Sequence, residues 1–92
     1  MSDSLIRAGL KKLPGWKYSV RDKAIWAEFK CKDFMEAVRL ITRIAKLAEK
    51  MDHHPDLHLT GYRKLKVVLT THSEGRVTAK DMRLAALINK AL

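Results

Sequence analysis

Three of the four histidines stand in two places. His53 and His54 are adjacent, inside Glu49-Lys50-Met51-Asp52-His53-His54-Pro55, and His72 closes Thr70-Thr71-His72. Imidazole exchanges a proton close to neutral pH, which suits it to acid–base work on a small molecule. Two imidazoles side by side, with a third delivered by a different element, point to a site assembled in space. Imidazoles also hold zinc. Adjacent histidines do not easily converge on one ion, unlike i, i+4 pairs on a helix, and the one cysteine, Cys31, lies on another element. No metal is expected. His58 stands alone on a strand and reads as a hydrogen-bonded residue outside the chemistry.

The elements that must position these residues follow from periodicity. Ser2 to Leu13 is a helix, with Leu5, Ile6, Leu10 and Leu13 in one stripe and Pro14-Gly15 ending it. Trp16, Tyr18 and Val20 alternate with Lys17 and Ser19 as a half-buried strand, and Arg21-Asp22-Lys23 makes a hairpin turn. Ile25, Ala27, Phe29 and Cys31 take one face of the second strand; Trp26, Glu28 and Lys30 take the other. Asp33 caps a long helix, with Glu36 suited to a capping box. Phe34, Ala37, Val38, Ile41, Ile44, Ala45 and Ala48 recur at three- and four-residue steps, and Leu40, Leu47 and Met51 widen that stripe. The helix must stop by His54, because a residue before proline is pushed out of α geometry. Leu57 and Leu59 mark a third strand, Gly61 a bulge or sharp bend, and Leu65 to Thr71 a fourth. Thr78 with Asp81 opens a last helix, Ala79 to about Ala91. The order is α-β-β-α-β-β-α: an α+β domain with an antiparallel sheet and helices packed on one face.

Ninety-two residues make one domain, 1–92. So short a chain buries roughly 60–65% of its unfolded surface, and an oligomer is expected. No apolar run approaches the ~20 residues of a membrane span. A single cysteine and no signal-peptide pattern fit a reducing cytoplasm. Net charge is +9 with His neutral. The lysines and arginines form no block, so they read as a solvated surface. Trp16, Tyr18 and Trp26 suit the sheet or a pocket wall better than base stacking. Nucleic acid is not expected as the main partner.

The stretch from Glu49 to Pro55, then Tyr62, Leu69-Thr70-Thr71-His72, Gly75, Thr78 and Asp81, resembles the signature of the pterin-4a-carbinolamine dehydratases. Gly15-Trp16, Phe29, Lys32-Asp33-Phe34 and Leu84-Ala85 extend the likeness over nearly the whole chain. The resemblance implies four antiparallel strands in order 1-2-4-3 with three helices on one face. It implies loss of water from a 4a-hydroxytetrahydropterin, without cofactor or metal. His53, His54 and His72 would be catalytic. His53 and His72 would transfer protons, and His54 would orient the pterin and support the departing hydroxyl. Asp52, His53, His54, Thr70, Thr71, His72 and Ser73 would contact substrate. A homodimer or homotetramer is implied, and some members serve as a dimerisation cofactor or an assembly factor. Between the double histidine and Tyr62 the chain has one residue more than the common spacing. Arg76 stands where many members have a second glycine, and Leu65 replaces a common Val.

Overall fold

In the computed structural model, which describes residues 1–92, the elements are α1 Asp3–Leu10, β1 Lys17–Ser19, β2 Ala24–Lys30, α2 Phe34–Met51, β3 Asp56–Thr60, β4 Lys64–Leu69 and α3 Ala79–Ala91. The strands form one antiparallel sheet in the order β1-β2-β4-β3, as expected. Alternation decides which face each strand buries. Ile25, Ala27 and Phe29 of β2 lie opposite Leu69, Val67 and Leu65 of β4, and β3 adds Leu57 and Leu59 to that face. The three helices cover it, with Ile6, Ile44, Leu84 and Ile88 fully buried. Each such side chain contributes roughly 1.5–3 kcal/mol relative to exposure. The other face carries Lys17, Trp26, Val68 and Asp56 in one cross-strand row, and the lysine amines of Lys17 and Lys66 lie 5.4 and 4.8 Å from the Trp26 ring.

Several boundaries shift from expectation. α1 ends at Leu10, three residues early, yet Leu13 stays buried. β1 ends at Ser19, so Val20 enters the turn and is half exposed. On α2 the buried line is Ala37, Leu40, Ile44 and Ala48; Phe34 and Ala45 face outward. Leu40 is thus the centre of the stripe rather than its margin. The Asp33 carboxylate accepts from Glu36 N–H at 2.8 Å, but the Glu36 carboxylate accepts from Lys32 N–H, one residue before the cap. β3 pairs with β4 in unbroken register from Asp56–Val68 to Thr60–Lys64. The turn between them is 61–63, where Gly61 and Tyr62 both have positive φ. Gly61 is a bend, and a side chain there would be strained.

α3 is tied to α1 and to the segment that follows it. Gly9 of α1 lies against the end of the Met82 side chain, which would have to move to admit a Cβ. Asn89 accepts from Trp16 Nε1–H at 3.0 Å and donates to the Pro14 carbonyl at 3.2 Å. No helix is long and apolar enough to cross a membrane.

Candidate active site

The end of α2 sets the position of His53. Asp52 adopts a left-handed conformation, φ 50° and ψ 45°, which a short polar side chain tolerates. The N–H of His53 then reaches back to Ala48 O at 3.1 Å and that of Asp52 to Glu49 O at 3.2 Å. This is a Schellman closure, and it turns His53 inward. Pro55 keeps His54 out of the helix, and the residue after Pro55 starts β3.

His53 is 8% exposed, and its Nε2 lies 2.6 Å from Oδ1 of Asp81, which is fully buried. Oδ2 of Asp81 accepts from Thr71 Oγ1–H at 2.8 Å and from Thr78 N–H at 2.9 Å. Thr71 and Thr78 hydroxyls are 2.6 Å apart, and Thr78 Oγ1 accepts from Lys80 N–H. The donors order themselves: Thr78 O–H to Thr71, Thr71 O–H to Asp81, and His53 Nε2–H to Asp81, a tautomer assigned from the network. No buried side-chain nitrogen or oxygen lacks a partner, and Nδ1 of His53 makes no hydrogen bond within the chain. Nδ1 is therefore the ring nitrogen that meets solvent, with no partner in the chain. One carboxylate thus joins the end of α2, the end of β4 and the start of α3.

His72 is exposed and lines a cavity of about 400 Å³ on the open side of the sheet. Thr70, Val68, Ala24, Asp56 and Gly75 share the wall with Arg21, Asp22 and Lys23 of the β1–β2 turn. Thr70 Oγ1–H donates to Lys23 O at 2.8 Å and so binds that turn to the end of β4. Hydrogen bonds from the Ser19 hydroxyl and the Arg21 guanidinium hold the Asp22 carboxyl below its usual range, so Asp22 adds a firmly ionised carboxylate to the wall beside Asp56. Thr71 pairs with Arg76 across the His72–Gly75 turn.

The residues expected from sequence fall into three places. Thr70 and His72 share the cavity. His53 and Thr71 share Asp81. His54 faces solvent, with Nε2 2.5 Å from Glu49 Oε2, and neither it nor His53 lines the cavity wall. Asp52 and Ser73 are exposed beside their histidines. His58 is exposed on β3. Asp81 is a helix-start acid and a signature residue in the sequence; its spacing from Thr78 marks the cap but not the burial. Arg21, Asp22, Lys23 and Asp56 carried no local signal for the cavity, since it forms only when two hairpins meet. No three His, Cys, Asp or Glu side chains come together to hold a metal ion.

Fold and site define an α+β protein whose histidine-bearing loops gather at one end of an antiparallel sheet. The chain belongs to the pterin-4-alpha-carbinolamine dehydratase family, whose model, described as "Pterin 4 alpha carbinolamine dehydratase", matches residues 1–91. It is 44% identical over 89 residues to a provisionally named pterin-4-alpha-carbinolamine dehydratase of Rhodopseudomonas palustris, covering 97% of this chain and 87% of that one. A similarly named Sulfolobus acidocaldarius protein is 40% identical over 90 residues, covering 98% and 96%. The crystal structure of a transcriptional coactivator/pterin dehydratase from Brucella melitensis superposes with a TM-score of 0.91 at 37% identity, covering 98% and 95%. A pterin dehydratase-like RuBisCO assembly factor of the alpha-carboxysome shares the fold, with TM-score 0.68, 14% identity and coverage of 83% and 87%.

Proposed function

We propose that this protein dehydrates a 4a-hydroxytetrahydropterin, such as 4a-hydroxytetrahydrobiopterin, to the quinonoid dihydropterin. The N5 lone pair expels the 4a-hydroxyl, one proton goes to the departing oxygen and one leaves N5. The balance is substrate minus water, with no change of oxidation state for a cofactor to supply. The observation that carries this reading is the His53 ring, held through Nε2 by Asp81 with Nδ1 free, one residue link from the strand end that presents His72. His53 and His72 exchange the protons, one acting as acid and the other as base. His54 orients the pterin and supports the hydroxyl, with Glu49 fixing its ring. In this reading Asp52, Thr70, Thr71 and Ser73 are the segments that contact the substrate, and Thr70 already stands on the cavity wall. A 400 Å³ cavity lies within the range of small-molecule sites.

Micromolar protein is expected to accelerate dehydration of a synthetic 4a-hydroxytetrahydropterin above the spontaneous rate, with no effect of a chelator. Equal rates with and without protein refute the reading; loss of activity on chelation revives a metal site.

A protein-binding role on the same fold, alone or beside catalysis, is the second reading. The coactivator activity named with the Brucella neighbour favours it, as do the exposed Phe34, Met35 and Tyr62. Self-association belongs to either reading. β3 pairs on one side only, and an unprotected edge invites a second strand. Light scattering at tens of micromolar should give a dimer through that edge, or a tetramer that adds helix packing. A monomer mass would refute this.

A further inference from the structure

A second cavity lies at the far end of the sheet. Ala24 at the start of β2 lines the His72 cavity, and Lys30 at its end lines the second. The strand rise puts those two residues about 20 Å apart. The second cavity holds about 350 Å³. Its wall is mostly of one charge. Lys30 comes from β2, Arg39 and Arg43 from successive turns of α2, and Glu36 from the first turn of α2. The backbone curve from β2 into α2 brings these two sources together, and buried Cys31 and Leu40 form the floor.

None of the three cations has an ion-pair partner; the four ion pairs of the chain lie elsewhere. Glu36 is the one acidic side chain on the wall, and its Oε1 already accepts from Lys32 N–H at 2.9 Å; Leu92 completes the lining, so in the 92-residue protein the terminal carboxylate belongs to the same residue set and three cations face two acids. Arg39 and Arg43 stand four residues apart on one helix face, where like charges repel. Lys46 and Lys50 on the same helix differ from them in lining no cavity. Burial pushes the Cys31 thiol up, so the floor stays neutral and does not oppose an anion.

We propose that this cavity binds a small phosphate-bearing molecule, at a site separate from the pterin pocket. Two guanidinium forks match phosphate oxygens in pairs, and the Lys30 ammonium adds a third point of charge. The Leu40 and Cys31 floor leaves room for a small apolar portion of the ligand.

The test is a titration of the 92-residue protein with inorganic pyrophosphate, followed by calorimetry and by backbone amide NMR. One saturable site is expected, with shifts centred on Lys30, Cys31, Arg39 and Arg43. The double variant Arg39→Ala/Arg43→Ala should bind at least about tenfold more weakly, since it removes both charged hydrogen-bonding forks. Lys46→Ala/Lys50→Ala removes the same charge from the same helix outside the cavity and should stay within about twofold, as expected for screened surface charges. Alanine is a strong helix former, so both variants should fold, checked by circular dichroism. Equal weakening in the two variants means attraction by net charge alone and overturns the site. Shifts centred on His72, or no saturation at low millimolar pyrophosphate, overturn it too. A tricarboxylate that binds as tightly as pyrophosphate overturns the assignment of phosphate.

Discussion

Alanine at His53 or at His72 is expected to lower kcat for pterin dehydration by about 10- to 100-fold, with a smaller change in KM. A well-placed general acid or base contributes ~10²–10⁴-fold. The N5 lone pair already assists the departure, so the lower end applies. Removing both residues should cost less than the product of the single effects, because proton-transfer partners act as a unit. His54→Ala should raise KM as well if, as proposed, His54 holds the ring; it is exposed and outside the buried network. His58→Ala is the control and should match the parent; it lies on β3 opposite Lys66, away from both histidine positions. Unchanged circular dichroism and oligomer mass must accompany each result. Folded His53 and His72 variants with full activity would sink the acid–base assignment. If the protein binds pterin and none of His53, His54 and His72 affects any rate, the protein-binding reading takes over.

Asp81 is expected to show two separable losses. Alanine there leaves Thr78 N–H, the Thr71 hydroxyl and His53 Nε2–H without their acceptor in a buried place. Breaking such a buried network costs about 3–5 kcal/mol. A small domain has only about 5–15 kcal/mol in total, so the urea midpoint should fall sharply. Asparagine keeps the volume and separates the effects. Its oxygen is best turned to the Thr71 and Thr78 donors, which leaves its NH₂ facing His53. Nε2 must then accept, the proton moves to Nδ1, and the ring nitrogen that meets solvent can no longer act as a base. Asp81→Asn should therefore lose kcat about as much as His53→Ala, some 10- to 100-fold, while staying folded. The pair Asp81→Asn/His53→Ala should be no slower than His53→Ala alone. Wild-type kcat in a folded Asp81→Asn variant would show that the carboxylate serves packing only.

The sequence was most informative where local chemistry acts alone. Period-2 patterns in Ile25 to Phe29 and Leu65 to Leu69 put the right residues inward, because alternation is a property of the extended chain itself. Pro55 and Thr78 marked where α2 had to stop and α3 had to start. Its resemblance to one family rested on His53, His54 and His72 at their spacing, and the family match bears that out.

The end of α2, the start of α3, the inward faces of β2 and β4 and the family were thus legible in the sequence alone. The tertiary structure decided the rest. It made Leu40 the buried centre of α2 and turned Phe34 outward, since the sheet covers only part of a wide apolar stripe. It divided the three histidines among a buried carboxylate, a cavity wall and open solvent. It brought Arg21, Asp22 and Lys23 to the cavity through the Thr70 bond to Lys23, across 47 positions of sequence. It also buried Asp81, which joins His53 at a separation of 28 residues to Thr71 at 10. Local spacing sets how a segment folds and which side it buries. Which segments meet at an element's end depends on the packing of all of them, and there the proton-bearing atoms acquire their partners.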